Sequence, residues 1–274
     1  MMKRLKILVL AAIGWLCGMG VSAQDLQPGG LSYARLQSNT DKKAEVVLNG
    51  AAKGTTKAVI PAKVTLDGKT YRVVGIGANT FSSQEELTSV VIPGSVISIE
   101  NEVFIYCKKL TSVQIPNSVT SMGARVFYGC SSLTSVVEHK GVPYIPYMTY
   151  CYCMGLDSVA IPNYVTRIEP LAFDGCRNMT RLHIGSQITF IGGNAFNDCG
   201  KLSRIYIEAP DPEKIEITES PFMWATYENA ELYVPEESVD AYKNTLPWSR
   251  FKKIKEWKLE KNNDVLTNTA GAGM

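Results

Sequence analysis

The chain has 274 residues, 45% hydrophobic and 20% charged, with 28 basic and 26 acidic side chains. That length can bury a sizeable core, and a net charge of +2 provides no electrostatic footprint for nucleic acid. Two histidines without an HExxH pair, no Cys-x-x-Cys, no Gly-x-Ser-x-Gly and no phosphate loop leave no expected catalytic residue, metal ligand or cofactor site.

Residues 1–23 have the features of an export signal. Lys3, Arg4 and Lys6 precede the apolar run from Ile7 to Trp15, and Val21-Ser22-Ala23 offers a small-residue cleavage site. The run is too short to span a bilayer. Removing it takes away three basic and no acidic residues, so 25 basic face 26 acidic side chains in the mature chain. The expected product is exported, to the cell surface or the medium, with the periplasm as the alternative, and has no membrane span after cleavage.

Residues 24–68 are expected to form a β-rich N-terminal cap. Glu45–Leu48, Ala58–Ile60 and Lys63–Leu66 have strand composition, and Asn49-Gly50 and Asp67-Gly68 are turn signals.

Residues 69–206 are dominated by a 23-residue period. Cysteine recurs at 107, 130, 153, 176 and 199, with Gln84 in the equivalent earlier place. An aromatic precedes each by three (Phe81, Phe104, Phe127, Tyr150, Phe173, Phe196), and Leu87, Leu110, Leu133, Leu156, Met179 and Leu202 follow by three. Such self-similarity over about six coils is the mark of a solenoid, in which each coil buries its apolar side chains against its neighbours. Leu87–Ile92 and its equivalents are expected to be strands ended by proline, as in Ile92-Pro93 and Ile115-Pro116. A second short extended piece follows at Val96–Ile99, and a tight turn from Phe104 to Cys107. The coil at 138–160 departs, with Glu138-His139 in place of Ile-Pro.

Residues 207–257 break the period and are expected to form a strand-helix C-terminal cap. Glu231–Pro235 is a strand candidate, Ser238–Lys243 a helix candidate, and Trp248 and Phe251–Trp257 supply bulk to close the coil edge. Residues 258–274 are expected to be a flexible tail.

The pattern Leu-x-Ser-Val-x-Ile-Pro-x-x-Val-x-x-Ile-x-x-x-x-Phe-x-x-Cys, with Leu232-Tyr233-Val234-Pro235 and Val239–Tyr242 at the end, resembles the BspA-like leucine-rich repeat family of bacterial surface proteins over residues 45–257. The resemblance implies a mainly β solenoid of leucine-rich repeats. It also implies a role in adhesion or surface interaction with a protein or glycan of a cell surface or host matrix. The matching residues are scaffold, so no site residue transfers with it. A structural spacer without a dedicated ligand and a carbohydrate-binding module are the alternatives.

The ladder cysteines are expected to be buried thiols, because they share the phase of the apolar columns. Cys151 is out of phase and is expected at the surface. Outward strand positions should face a partner from the concave side. Most carry Thr or Ser, but the later coils carry Asp157, Arg181, His183, Arg204 and Tyr206, the leading binding candidates. Tyr144, Tyr147 and Tyr152 crowd the aberrant coil and form a second candidate.

Overall fold

The computed structural model describes residues 30–36, 44–135 and 140–257. The signal segment, the C-terminal tail and the Glu138-His139 departure lie outside the described residues. The protein is a β-solenoid. Among the described residues its contacts divide into two compact units, one reaching Ser132 and including Lys140–Val142, the other comprising Leu133–Ser135 and Pro143–Trp257.

The first unit contains β1 (Leu31–Arg35), β2 (Glu45–Ala51), β3 (Lys57–Val59), β4 (Lys63–Leu66), β5 (Lys69–Ile76), β6 (Ser89–Val91), β7 (Ser98–Ile99), β8 (Ser112–Gln114) and β9 (Ser121–Met122). One sheet runs β1-β2-β5-β7-β9, with β4 on β5, and another runs β3-β6-β8. Asp67 and Gly68, both left-handed, close the β4–β5 hairpin as expected. Asn49-Gly50 is not a turn. β2 continues through it, and Gly50 lies opposite Ser32 beside an irregularity in the β1–β2 register. A Cβ on Gly50 would stand 2.5 Å from the Ser32 hydroxyl, so close strand approach explains this glycine. β3 is already a member of the repeat sheet. Lys57 pairs with Ser89, thirty-two residues on, because the β4–β5 hairpin is inserted in that coil.

The second unit contains β10 (Tyr144–Ile145), β11 (Ser158–Ile161), β12 (Arg167–Ile168), β13 (Arg181–Ile184), β14 (Phe190–Ile191), β15 (Arg204–Ile207), β16 (Glu216–Ile217), α1 (Trp224–Asn229), β17 (Glu231–Pro235), α2 (Val239–Asn244) and β18 (Lys253–Trp257). The parallel sheets run β10-β12-β14-β16 and β11-β13-β15-β17-β18. The sheet therefore does not stop where the period stops. Arg204 pairs with Glu231 and Glu231 with Lys253, at spacings of 27 and 22 residues. Phe222 likewise takes the next aromatic place after Phe196.

The periodic aromatics stack inside each unit. Phe81, Phe104 and Phe127 lie 5.4 Å apart, and Tyr150, Phe173, Phe196 and Phe222 follow one another at 5.2 to 5.4 Å, with ring planes nearly parallel. Each fully buried ring contributes roughly 2 kcal/mol by area, and each ring pair about 0.5–1.5 kcal/mol more.

The turn that carries each aromatic uses two left-handed residues, four apart: Asn79 and Ser83, Glu102 and Tyr106, Met148 and Tyr152, Leu171 and Gly175. This geometry aims alternate amides along the solenoid axis. Asn79, Phe81 and Ser83 donate to the carbonyls of Asn101, Val103 and Ile105 in the next coil, and the pattern recurs at Tyr150, Tyr152 and Phe173. Left-handed backbone costs about 1–2 kcal/mol per non-glycine residue, offset here by satisfied inter-coil hydrogen bonds.

All six cysteines among the described residues are buried free thiols. The thiols of Cys107, Cys130, Cys176 and Cys199 each donate to the carbonyl of the preceding coil's aromatic, at 3.1 to 3.4 Å. Burial pushes the thiols of Cys107 and Cys199 up to about 12. Gln84 takes this place where the preceding coil is irregular, and its longer amide reaches the Ala52 carbonyl and the Gly54 amide. Cys151, expected at the surface, is buried, with its sulfur 3.6 Å from the Asp174 carboxylate. Its place, two residues before the ladder cysteine, is half-buried or buried in successive coils, which a reading of the core columns alone overlooks.

Candidate binding surface

The outward residues of the β11-β13-β15-β17-β18 sheet form two rows across the strands. The first runs Ser158, Arg181, Arg204, Glu231, Lys253, and the second Ala160, His183, Tyr206, Tyr233, Lys255. Parallel register places Arg181 beside Arg204 and His183 beside Tyr206, as the sequence period implies. Strand spacing of about 4.8 Å puts neighbours within side-chain reach.

The second row is an aromatic wall. Tyr206 and Tyr233 stack at 4.7 Å and 12°, and His183 meets Tyr206 edge-on at 6.2 Å. Trp257, at the end of β18, lies across this wall, 5.3 Å from His183 and 5.5 Å from Tyr206. Trp257 was expected to close the coil edge; it packs on the outward face instead. Tyr233, Trp257 and Lys255 belong to the surface, although the sequence shows no period there. The signal that would have found them is Leu232-Tyr233-Val234, whose inward-outward alternation matches Leu182-His183-Ile184.

Charges on this face are arranged unevenly. Glu231 accepts from the Tyr233 hydroxyl and from Lys255, both at 2.6 Å, which holds its carboxyl below the usual range. The Tyr233 phenol is correspondingly raised, chiefly by its bond to Glu231. His183 Nε2 lies 3.1 Å from Glu208 Oε1, with side chains only 12% and 13% exposed. Burial still holds the imidazole below its ordinary value and outweighs the carboxylate, so His183 is neutral at pH 7. Arg181 and Arg204 are exposed.

Asp157 is exposed, but its carboxylate accepts from the Thr180 hydroxyl at 2.9 Å. It joins the ladder that gives the Thr/Ser column its physical reason. Thr88, Thr111, Thr180 and Ser203 each reach the carbonyl of the preceding coil's equivalent residue.

The tyrosines of the second candidate are spread over several elements. Half-buried Tyr144 lies on β10, in the other sheet of this unit, and Tyr147 is exposed at the start of the turn. Tyr152 is a left-handed turn residue whose ring covers Gly175, where a Cβ would meet it at 2.4 Å. Tyr106 covers Gly129 in the same way one period pair earlier.

The model of the BspA type leucine rich repeat region matches residues 74–203 and 143–266, in six copies. The chain belongs to the BspA-type leucine-rich repeat family. Solved leucine-rich repeat structures share its fold. A leucine-rich repeat protein of T. pallidum matches at 18% identity and TM-score 0.58, over 80% of this chain and 95% of its own. A leucine-rich cell surface protein of Faecalibacterium prausnitzii matches at 24% identity and TM-score 0.52, over 80% and 72%. A leucine-rich repeat protein of Eubacterium ventriosum matches at 22% and 0.54, over 71% of this chain and half of its own. No curated protein matches the sequence. Membership points to a protein-interaction or surface role, and no helix among the described residues is long and apolar enough to cross a membrane.

Proposed function

We propose that this protein is exported and binds a macromolecular partner, a protein or glycan of a cell surface or host matrix, through the outward face of the β11-β13-β15-β17-β18 sheet. One observation carries this reading. Strand positions that hold Ser89, Val91, Ser112 and Gln114 in the first unit hold Arg181, His183, Arg204 and Tyr206 here, joined by Tyr233 and Trp257. The first unit pairs its strands in the same parallel register without them, which supports a role for the arginines and rings beyond strand pairing. Arg, Tyr and Trp are the residues that dominate binding hot spots. Family membership and the positive, apolar, cleavable start of the chain support display outside the cell.

The test compares two fourfold variants for adhesion to immobilised matrix extract and to whole bacterial cells, with circular dichroism as a check on folding. Arg181→Ser, His183→Ser, Arg204→Ser and Tyr206→Thr together should cut binding by more than about tenfold. Ser89→Ala, Val91→Thr, Ser112→Ala and Gln114→Ser should leave it intact. Equal binding by both variants would move the site elsewhere, with Tyr144, Tyr147 and Tyr152 next. A wild-type chain that adheres to neither surface would favour a structural spacer.

A further inference from the structure

The arginine pair narrows the ligand class. Among the described residues of the second unit, Arg167 and Arg177 are paired with Glu169 and Asp198, and Arg250 lies over the Tyr227 ring. Arg181 and Arg204 meet no carboxylate, although they stand side by side in register on an exposed face. Like charges directly opposite in a sheet destabilise it. None of the nearby carboxylates pairs with the arginines: Glu231 bonds Lys255 and Tyr233, Asp157 bonds the Thr180 hydroxyl, and Glu208 faces His183. Lys253 adds a further exposed cation to the same row. The face therefore presents two arginines that have no ion-pair partner among the described residues and that folding does not require, since serine fills this row in other coils.

Beside that row, two residues along each strand, or roughly 6.6 Å away, stands the wall of His183, Tyr206, Tyr233 and Trp257. An arginine pair and a row of rings thus lie side by side across the strands. A ligand matching both must carry anionic groups and flat apolar faces on the same repeating unit. An acidic sugar ring does so, with a sulfate or carboxylate on its rim and a C–H face for an indole. An acidic peptide matches the first row only.

We propose that the Arg181–Arg204 pair and Trp257 form a site for an acidic polysaccharide. The proposal rests on the binding-face reading above and names its ligand class. The test measures affinity of the purified protein for dextran sulfate, polygalacturonate, neutral dextran and poly-glutamate. At least one acidic polysaccharide should bind, and the preferred one distinguishes sulfate from carboxylate. Neutral dextran and poly-glutamate should bind about tenfold more weakly or not at all. Arg181→Ser with Arg204→Ser should weaken polysaccharide binding by about tenfold or more, and Trp257→Ala by several-fold. Removing two positive charges elsewhere, as Lys108→Ser with Lys109→Ser, should change it less than about twofold.

Poly-glutamate binding as tightly as the polysaccharides would make this an acidic-peptide site and overturn the proposal. Equal weakening by the lysine control would show unspecific charge attraction, and no binding of either acidic polysaccharide would also overturn it. In each case the binding-face reading survives if the fourfold variant still loses adhesion to matrix or cells.

Discussion

The indole of Trp257 stands at 87° to the imidazole of His183, with ring centroids 5.3 Å apart, although two strands separate theirs in the sheet. This contact makes the outward face a packed surface, and it ties the titration of His183 to a fluorescent neighbour.

Two opposing effects act on that titration. Burial disfavours the imidazolium and Glu208 favours it, and burial dominates. A base whose folded pKa is lowered contributes stability that is fully present above its ordinary value of 6.5 and declines as pH falls towards the folded pKa. Trp257 emission should therefore change with a midpoint below 6.5, and His183→Gln should abolish the change and flatten stability between pH 7 and 5. Trp257→Phe identifies the reporting indole. A midpoint above 6.5 would show that the Glu208 carboxylate wins.

Phe173 is fully buried and stacked between Tyr150 and Phe196. Phe173→Ala should cost about 3–5 kcal/mol, from lost burial and an unfilled cavity. Urea denaturation measures this, and hydrogen exchange should show the loss spreading from the coils on either side. A cost near 1 kcal/mol would mean that neighbouring rings collapse into the gap.

Gly175→Ala combines a left-handed backbone with a 2.4 Å approach to the Tyr152 ring, and should cost about 2 kcal/mol or more. Tyr152→Ala removes the obstacle but not the backbone strain. The double variant should therefore recover part of the loss, and a double-mutant cycle should give coupling above about 0.5 kcal/mol. Additive effects would show that the ring swings aside freely.

Burial places the thiols of Cys107, Cys130, Cys176 and Cys199 well above their ordinary pKa. At pH 8 the native protein should react very slowly with iodoacetamide, because the thiolate is the nucleophile. In denaturant without reductant, Cys107, Cys130, Cys151, Cys153, Cys176 and Cys199 should all alkylate, as counted by intact mass. Fewer than six would reveal a disulfide.

The sequence by itself determined the solenoid, its 23-residue coil and the side of the strand on which each repeat residue lies. A repeated coil places equivalent side chains in equivalent surroundings, so phase alone marked Phe127 and Cys130 as buried and Arg181 and Tyr206 as outward. Phase failed wherever a coil changed length. Hydrogen-bonded register does not require constant spacing, so the 32-residue and 27-residue coils hid that β3 and β17, both expected as strands, continue the repeat sheets. Only tertiary structure decided that Cys151 is buried, that Tyr152 shields a glycine, and that Trp257 crosses two strands to reach His183. Those outcomes depend on which coil a side chain packs against and on how far it reaches across the sheet, neither of which a period records.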